Sequence, residues 1–468
     1  MAPFDRLDQF ERSAQAEQRS SSNDESASAG VRQLGQIARV NLGIDFGTSY
    51  TKVCYRDVGT ARSGVIDFRT DGVSEVTASM IPTKVGIISN RILLAGMPEG
   101  VFRSIKRKQH FITQLKMRLA ILVRTEELAD FEYGPAWPGY RMSVRFLASV
   151  FLSNVIRLSK ACLLRSKADE FRNRSIEWTA TVGVPVPIFD TPALDELEHV
   201  FETAWLMAET YSALAVDLRK SWEQFSACWT MRCKRVNAIE PCSELGAAVV
   251  SLVCHPTAQE GIYLFLDIGG GTLDGVSFRY FRRQGRPRIV VFEGRIGALG
   301  IESIVRRHPE WDANEIREAI FSKEMSPKMS VAFEPEADKI RQLVGPVVMR
   351  AKDFAGLQWL SGTSERSLPV LLGGGGRTSK FYTDAIMSTH AIFGQASAGI
   401  PSYELNDIPL PDDFDMGSIP LEHFHRFAIA YGLSVPFGER PEIRMRSESQ
   451  PPEPPVVRPI TPGGVYDD

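Results

Sequence analysis

Two glycine turns, each entered through an aspartate at the end of an apolar run, constrain this chain more than any other feature. The first lies in Asn41–Tyr55, NLGIDFGTSYTKVCY, and the second in Gly261–Ser277, GIYLFLDIGGGTLDGVS. In each, a β-like run ends at an aspartate, Asp45 or Asp267. Glycine follows (Gly47; Gly269, Gly270 and Gly271), then hydroxyl residues, then a renewed β-like run, which in the second case contains Asp274. The pattern reads as strand, tight turn, strand. Its use twice, far apart in the chain, predicts two related halves that face each other. Glycine has no Cβ, so backbone N–H groups there approach phosphate oxygens closely. An aspartate beside a phosphate repels it unless a hydrated divalent cation lies between them. Two such turns are what a cation-bridged polyphosphate needs.

The chain has 468 residues, 43% of them hydrophobic and 24% charged, which allows two or more domains with sizeable cores and an ordinary soluble globular class. A net charge of −3 gives no global argument for nucleic acid or an anionic membrane. No uninterrupted apolar run reaches the roughly 18 residues of a membrane span. The N-terminus, MAPFDRLDQFERSAQ, lacks the apolar segment of a secretory signal. Cys54, Cys162, Cys228, Cys233, Cys242 and Cys254 are scattered without CxxC spacing. They read as buried free thiols in a reducing cytosol rather than as a disulfide framework or a zinc site.

Residues 1–38 are polar and rich in Ser, Gln, Ala and Glu, and read as a disordered leader; residues 436–468, with PPEPP and PITPGG, read as a flexible tail. The folded body is then 39–435, with a division near 240. Glu177–Pro185 reads as a buried strand. A helix start follows, with Asp190 or Thr191 as cap, Pro192 in the first turn, and Leu194, Leu197, Val200, Phe201 and Trp205 on one face. In 236–252 an extended piece precedes a helix whose Ala, Gly and Val residues allow two helices to pack closely. Ser367–Leu372 reads as a strand broken by Gly373–Gly376, followed by Arg377 and a helix; 423–434 reads as another small-residue helix. Strands alternating with helices predict α/β. The stretch Arg141–Arg174 holds eight Lys or Arg against two acids. It reads as an exposed helix face or a docking face for an acidic partner. The acidic loop 403–415, YELNDIPLPDDFD, either binds a partner or folds back on that basic face.

The order of these motifs resembles the Hsp70/actin/sugar-kinase ATPase superfamily, and within it the Hsp70 nucleotide-binding domain. GIDFGTSYTK (43–52) is similar to its first phosphate motif and LDIGGGTLD (266–274) to its second. IEPCSELGAAV (239–249) and FAIAYGLS (427–434) are similar to its two connecting helices, and VLLGGGGRTSK (370–380) to its adenosine motif. RSIKRK (103–108) is similar to the segment bearing the catalytic lysine, here Lys106, and VPVPIFD (184–190) to the step before the first connecting motif. The resemblance covers about residues 40–435.

That resemblance implies a two-lobed actin-like or Hsp70-like ATPase fold of duplicated ribonuclease-H-like lobes. Lobe I would be 39–240 and lobe II 241–435, with the last helix, 421–434, returning toward lobe I and a shortened IIB-type subdomain. ATP or ADP would lie between the turns, held by Asp45, Gly47, Thr48, Ser49 and Tyr50 on one side and Gly269, Gly270, Gly271 and Thr272 on the other. Gly300, Gly373, Gly374 and Arg377 would border the nucleoside. Asp45 and Asp267 would hold Mg²⁺ through water. Lys106, Glu240, Asp267, Thr272 and Asp274 would carry slow hydrolysis. Glu336, Lys339 and Arg341 could imitate the family's adenine-binding helix, but LVGPVVMRAKD (343–353) resembles a helix that comes later in the family, so a solvated helix face is the preferred reading of the three. The stretch 300–346 is shorter than in chaperone Hsp70s, which leaves adenine against guanine open. No peptide-binding domain is expected after 435, so the nucleotide state would act on a separate partner protein in the cytoplasm. The alternatives are a non-hydrolysing ATP-dependent scaffold, an actin-like filament former, and a sugar or acid kinase.

Overall fold

The computed structural model of the chain describes residues 37–69, 75–88, 92–104, 109–122, 140–185, 191–211, 217–231, 238–255, 258–355, 367–396 and 400–445. The expected leader up to residue 36, the tail beyond 445 and the Lys106 segment 105–108 lie outside these residues. The protein is a mixed α/β fold with three sheets.

In the first sheet, β1 (Ile37–Phe46) turns through Gly47 into β2 (Tyr50–Asp57), and β3 (Arg62–Val65) completes an antiparallel meander. A short β4 (Ile81–Pro82) pairs with β2, and β5 (Lys84–Ile88), β6 (Ile92–Ala95) and β7 (Gln109–Thr113) make a small sheet of their own. Then β8 (Ser175–Val184) lies parallel to β1, and β9 (Ile239–Ser243) parallel to β8. The second sheet repeats the plan. β10 (Gly261–Ile268), β11 (Leu273–Arg283) and β12 (Arg286–Gly297) form a meander, and β13 (Leu368–Gly373) and β14 (Tyr403–Asn406) add in parallel. The strand orders are β3-β2-β1-β8-β9 and β12-β11-β10-β13-β14, alike in order and in sense at every step. Each sheet takes one further edge strand from late in the chain: β15 (Phe414–Asp415) beside β3, and β16 (Glu442–Met445) beside β12.

The described residues begin at 37 and end at 445, wider at both ends than 39–435. Ile37 and Ala38 pair with β8. Residues 437–445 add a helical turn and β16, because Ile443 fits the space left by Gly246.

Seven helices position the sheets: α1 (Leu115–Leu122), α2 (Tyr140–Ser166), α3 (Pro192–Thr210), α4 (Glu244–Cys254), α5 (Pro327–Ala355), α6 (Lys380–Ala396) and α7 (Ala428–Ser434). The Thr191 hydroxyl caps α3 by accepting from Ala193 N–H at 3.3 Å, and Leu197, Val200, Phe201 and Trp205 are buried, as the sequence predicts. α2 and α3 fill one face of the first sheet. α5 and α6 fill one face of the second. Burial of the first sheet on both faces explains why residues 40–46 of β1 are buried without interruption, Asn41, Gly43 and Asp45 included, although its apolar residues alternate.

α2 departs from expectation in two ways. Val144–Ser166, with a mean hydropathy of 1.5, is long and apolar enough to cross a membrane although Arg157 and Lys160 interrupt it; 67% of its most apolar window is buried inside the molecule, as befits a core helix. Nor is the basic stretch an open docking face. Arg145 pairs with Glu196, Arg174 with Asp57 at 3.1 Å, and Lys160 with Glu209 while lying 4.3 Å from the Trp205 ring. The acidic loop folds back. Asp415 pairs with Lys167 at 2.9 Å, and Asp413 accepts from Arg56, Ser63 and the Tyr431 hydroxyl.

The remaining faces of the two sheets meet through α4 and α7. Leu245, Val249 and Val253 of α4 join the second sheet's core with Phe427, Ala430 and Tyr431 around α7. α7 rests on β1 at Gly43, where a Cβ would lie 2.1 Å from Ala430 O. The helices touch backbone to backbone, since a Cβ on Gly432 would lie 1.9 Å from Ala247 O. The buried Asn41 amide donates to Leu433 O and Ser434 O at 3.2 and 2.9 Å, and Arg440 donates to Leu433 O at 2.9 Å, so the carbonyls at the end of α7 are satisfied. Gly432→Ala is expected to cost about 2–3 kcal/mol, because the obstruction is backbone and cannot rotate away. Gly438→Ala, with nothing within 4 Å of the new methyl, should stay within about 0.5 kcal/mol of the wild type. Urea midpoints of the two variants check this; equal midpoints would refute the close crossing.

Candidate functional site

The two glycine turns meet. A Cβ on Gly270 would fall 2.0 Å from Ser49 Oγ, and one on Gly271 2.4 Å from Thr48 Cγ2. The second turn is stitched to the segment after β12: Glu302 N–H donates to Gly270 O at 2.7 Å and Ile301 N–H to Gly269 O at 3.2 Å. Gly300 permits this, as a Cβ there would lie 2.6 Å from Gly269 O and Gly270 O. On the other flank, Gly374 has φ +77°, and a Cβ there would lie 2.4 Å from Ile268 O and 2.6 Å from Asp267 Oδ1; Gly373 is 3.0 Å from the same oxygen by the same measure. These glycines let four backbone segments converge on Asp267.

Strand register explains the charges. Asp45 faces Lys52 across β1 and β2, and the equivalent pair across β10 and β11 is Asp267 facing Asp274. The first pair is an ion pair at 2.8 Å. The second sets two carboxylates side by side, which is repulsive. Glu244, at the first residue of α4, reaches the same place over Gly183, where a Cβ would meet its Cγ at 2.7 Å, and it pairs with Lys116 of α1. Among the described residues four carboxylates thus face two ammonium groups, and the acids left without an ion pair are Asp267 and Asp274. The Oδ1 atom of each is buried with no hydrogen-bond partner.

The titration of the cluster follows. Burial pushes Asp267 up to about 6; Lys52 opposes this while Asp45 adds to it. Burial also drives Asp274 well above the usual carboxylate range, reinforced by Asp267 and Glu244, with Lys116 and a hydrogen bond from Thr272 in opposition. Glu244 is raised by burial against the pull of Lys116. For Lys116 burial acts downward, but Glu244 and Asp45 outweigh it and hold the ammonium form. A cavity of about 40 Å³ opens beside these groups; Glu244, Asp267 and Asp274 border it, and most of its wall is apolar, from residues such as Pro185, Leu245, Phe265, Val276 and Ile296. Among the described residues no three His, Cys, Asp or Glu side chains form a direct metal-ligand group. A cation that fits here would be held mainly through water.

The structure brings together Asp45, Thr48, Ser49, Gly269, Gly270, Gly271, Thr272, Asp267, Asp274, Gly300, Gly373 and Gly374. Three expected residues point elsewhere. Glu240 is half exposed, accepts from the Thr181 hydroxyl at 3.3 Å and lies 3.7 Å from Arg440; β9 continues through Ser243, so the acid that reaches the cluster is one turn later. The Tyr50 ring leaves the turn for a separate cavity of about 60 Å³ with Glu75, Glu99 and Arg103, and burial raises its hydroxyl pKa. Arg377 pairs with Asp407. Nor do Glu336, Lys339 and Arg341 make a solvated row: Glu336 is buried and ion-paired to Arg307 and to Lys339 at 3.1 Å, while Arg341 pairs along α5 with Asp338 and Glu334. Lys106 lies outside the described residues.

Lys52, Lys116 and Glu244 were not singled out in the sequence. Lys52 repeats the Asp267–Asp274 spacing from Asp45, and Glu244 follows the cap Ser243, whose hydroxyl accepts from Gly246 N–H at 3.3 Å. Both signals lay inside the motifs quoted above, whereas nothing around Lys116 marks it. No protein-family model matches the chain, and no curated protein matches it.

The Asp267 shift has a definite sign. Below about pH 3 its carboxyl is protonated in both folded and unfolded chains and contributes nothing. As pH rises through about 4 toward 6 the unfolded chain releases the proton while the folded one retains it, so the ligand-free fold loses stability, on the order of 3 kcal/mol by pH 7. Asp267→Asn should therefore raise the urea midpoint of the ligand-free protein at pH 7 and leave it nearly unchanged at about pH 3. An equal effect at both pH values would exclude the buried, raised carboxyl.

Proposed function

We propose that this chain is an Mg²⁺-dependent ATPase with the two-lobed, duplicated ribonuclease-H-like architecture of the Hsp70/actin/sugar-kinase superfamily, working as a nucleotide-driven switch on a partner protein. The observation that carries the reading is the surplus, among the described residues, of two half-buried carboxylates, each with one buried oxygen that accepts no hydrogen bond, at the point where two glycine turns meet. Buried charge of one sign is costly unless a counter-ion compensates it. The repeated strand order and the small-residue contact of α4 and α7 support the two-lobed architecture.

Asp45 and Asp267 would hold Mg²⁺ through water, and Mg²⁺ when bound supplies charge neutralisation at the β and γ phosphate oxygens. The backbone N–H groups of the two turns would cradle those phosphates, with the Thr48 and Ser49 side chains giving way to them. Lys116 and Lys52 would face the charge that spreads over the transferred phosphoryl group in a loose transition state. Glu244 and Asp274 would orient the attacking water by accepting its hydrogen bonds, the part first expected of Glu240.

Purified protein should release phosphate from ATP slowly and stop when EDTA is added. Asp267→Asn should lower the rate by at least about 100-fold and Glu244→Gln by a similar factor, with Glu240→Gln within about threefold of the wild type. Equal rates for the wild type and Asp267→Asn would reject the site. A second reading, a scaffold that binds ATP without turnover, is favoured by the diversion of Glu240 to Arg440. Calorimetric ATP binding with no phosphate release selects it.

A further inference from the structure

The hairpin of β11 and β12 carries Asp274 at its cleft end and a dense set of arginines at its far end. Register places their side chains on one face of the sheet. Arg279 faces Val290, Phe281 faces Arg288, and Arg283 faces Arg286; on the next strand Glu442 lies beside Arg288 and Arg444 beside Val290. The opposite face is core, with Phe278, Tyr280, Ile289 and Val291 packed toward α4. The outward face thus presents Arg279, Arg283, Arg286, Arg288 and Arg444 around the half-buried Phe281, with the Arg279 guanidinium 5.7 Å from that ring. The turn at the tip is held by Gln284 and Gly285, both at positive φ, so the arms of the hairpin are fixed relative to each other.

The chemistry this face accepts is visible in part. Glu442, on an extended segment laid against β12, offers its carboxylate to Arg288 at 3.1 Å and to Arg444 at 2.6 Å. Arg279, Arg283 and Arg286 are exposed and meet no carboxylate among the described residues. Guanidinium groups bind carboxylates in bidentate fashion and shed water more readily than ammonium groups. A nucleic-acid platform would interleave several aromatic rings for stacking; the register pairs listed above put one ring, Phe281, among five arginines. The whole chain has a net charge of −3, which does not steer a long polyanion toward it.

We propose that the distal face of the β11–β12 hairpin, centred on Arg279, Arg283 and Arg286, docks an acidic, extended segment of a partner protein. The proposal stands whether or not the cleft hydrolyses nucleotide. It is tested with the full chain and two fluorescent probes of equal charge, a poly-glutamate peptide and single-stranded poly-dT, read by anisotropy over a salt series. The variant is R279E/R283E/R286E. The control, R39E/R219E/K380E, carries the same change of net charge at exposed sites elsewhere. The urea midpoint reports that the fold is intact. The expected result is salt-sensitive binding of poly-glutamate, weakened at least about tenfold by the hairpin variant and less than threefold by the control. Absence of poly-glutamate binding at low salt, equal loss in both variants, or tighter binding of poly-dT through the same arginines would each overturn it.

Discussion

The backbone contact between α4 and α7 is the constraint on which the rest of the structure depends. Each helix belongs to one sheet by chain connection and packs across to the other. α4 follows β9 of the first sheet yet buries Leu245 and Val249 in the second sheet's core; α7 comes from the later half of the chain yet lies on Gly43 of β1. Their approach is set by the missing Cβ of Gly432 against Ala247 O. A side chain there would spread the helices, and with them the two turns, where a Cβ on Gly270 would lie 2.0 Å from Ser49 Oγ and one on Gly271 2.4 Å from Thr48 Cγ2. Interfaces this closely packed respond to volume changes by shifting as units rather than by deforming.

The second dependence is electrostatic and also follows from topology. One hairpin plan, used twice, delivers a charged residue at each end of two equivalent turns. Had both been Asp–Lys, the site would be neutral and satisfied. The replacement of the second lysine by Asp274, with Glu244 and Lys116 added as a balanced pair, leaves a net surplus of negative charge in a place poor in water. Burial first, and the neighbouring acids second, push Asp267 and Asp274 upward.

Local pattern made much of this legible. The strand-turn-strand reading of 41–55 and 261–277, the cap of α3 and the small-residue character of 244–254 and 428–434 rest on interactions within a few residues, and these appear as expected. What the sequence does not display is which end of a short element faces the cleft. Glu240 and Glu244 both sit near the start of a helix; β9 extends through Ser243, turning Glu240 outward and Glu244 inward, and strand length is decided by pairing with Val184 rather than by any local signal. Lys116 reaches the cluster from a helix with no motif around it, so only tertiary placement reveals it. Ile443 was hidden for a similar reason: a Pro-rich neighbourhood reads as tail, while its packing partner, Gly246, lies nearly two hundred residues earlier.

Glu244 and Ala247 bring the two dependences together. They are three residues apart on α4, one helical turn. Glu244 sits over Gly183 of the first sheet and pairs with Lys116, while Ala247 bears against Gly432. Under the proposed function, a change of charge in the cleft would alter the force on Glu244, and the same turn of helix would pass it to the crossing of α4 and α7. β11 would extend the lever, since its first residues hold Asp274 and its last Arg283. Ligand-dependent movement needs differential interaction with two arrangements of the same parts. Under the proposed function, a cation that displaces the protons of Asp267 and Asp274 and screens their charges would be an interaction of that kind, acting at the base of the strand that carries the arginine face.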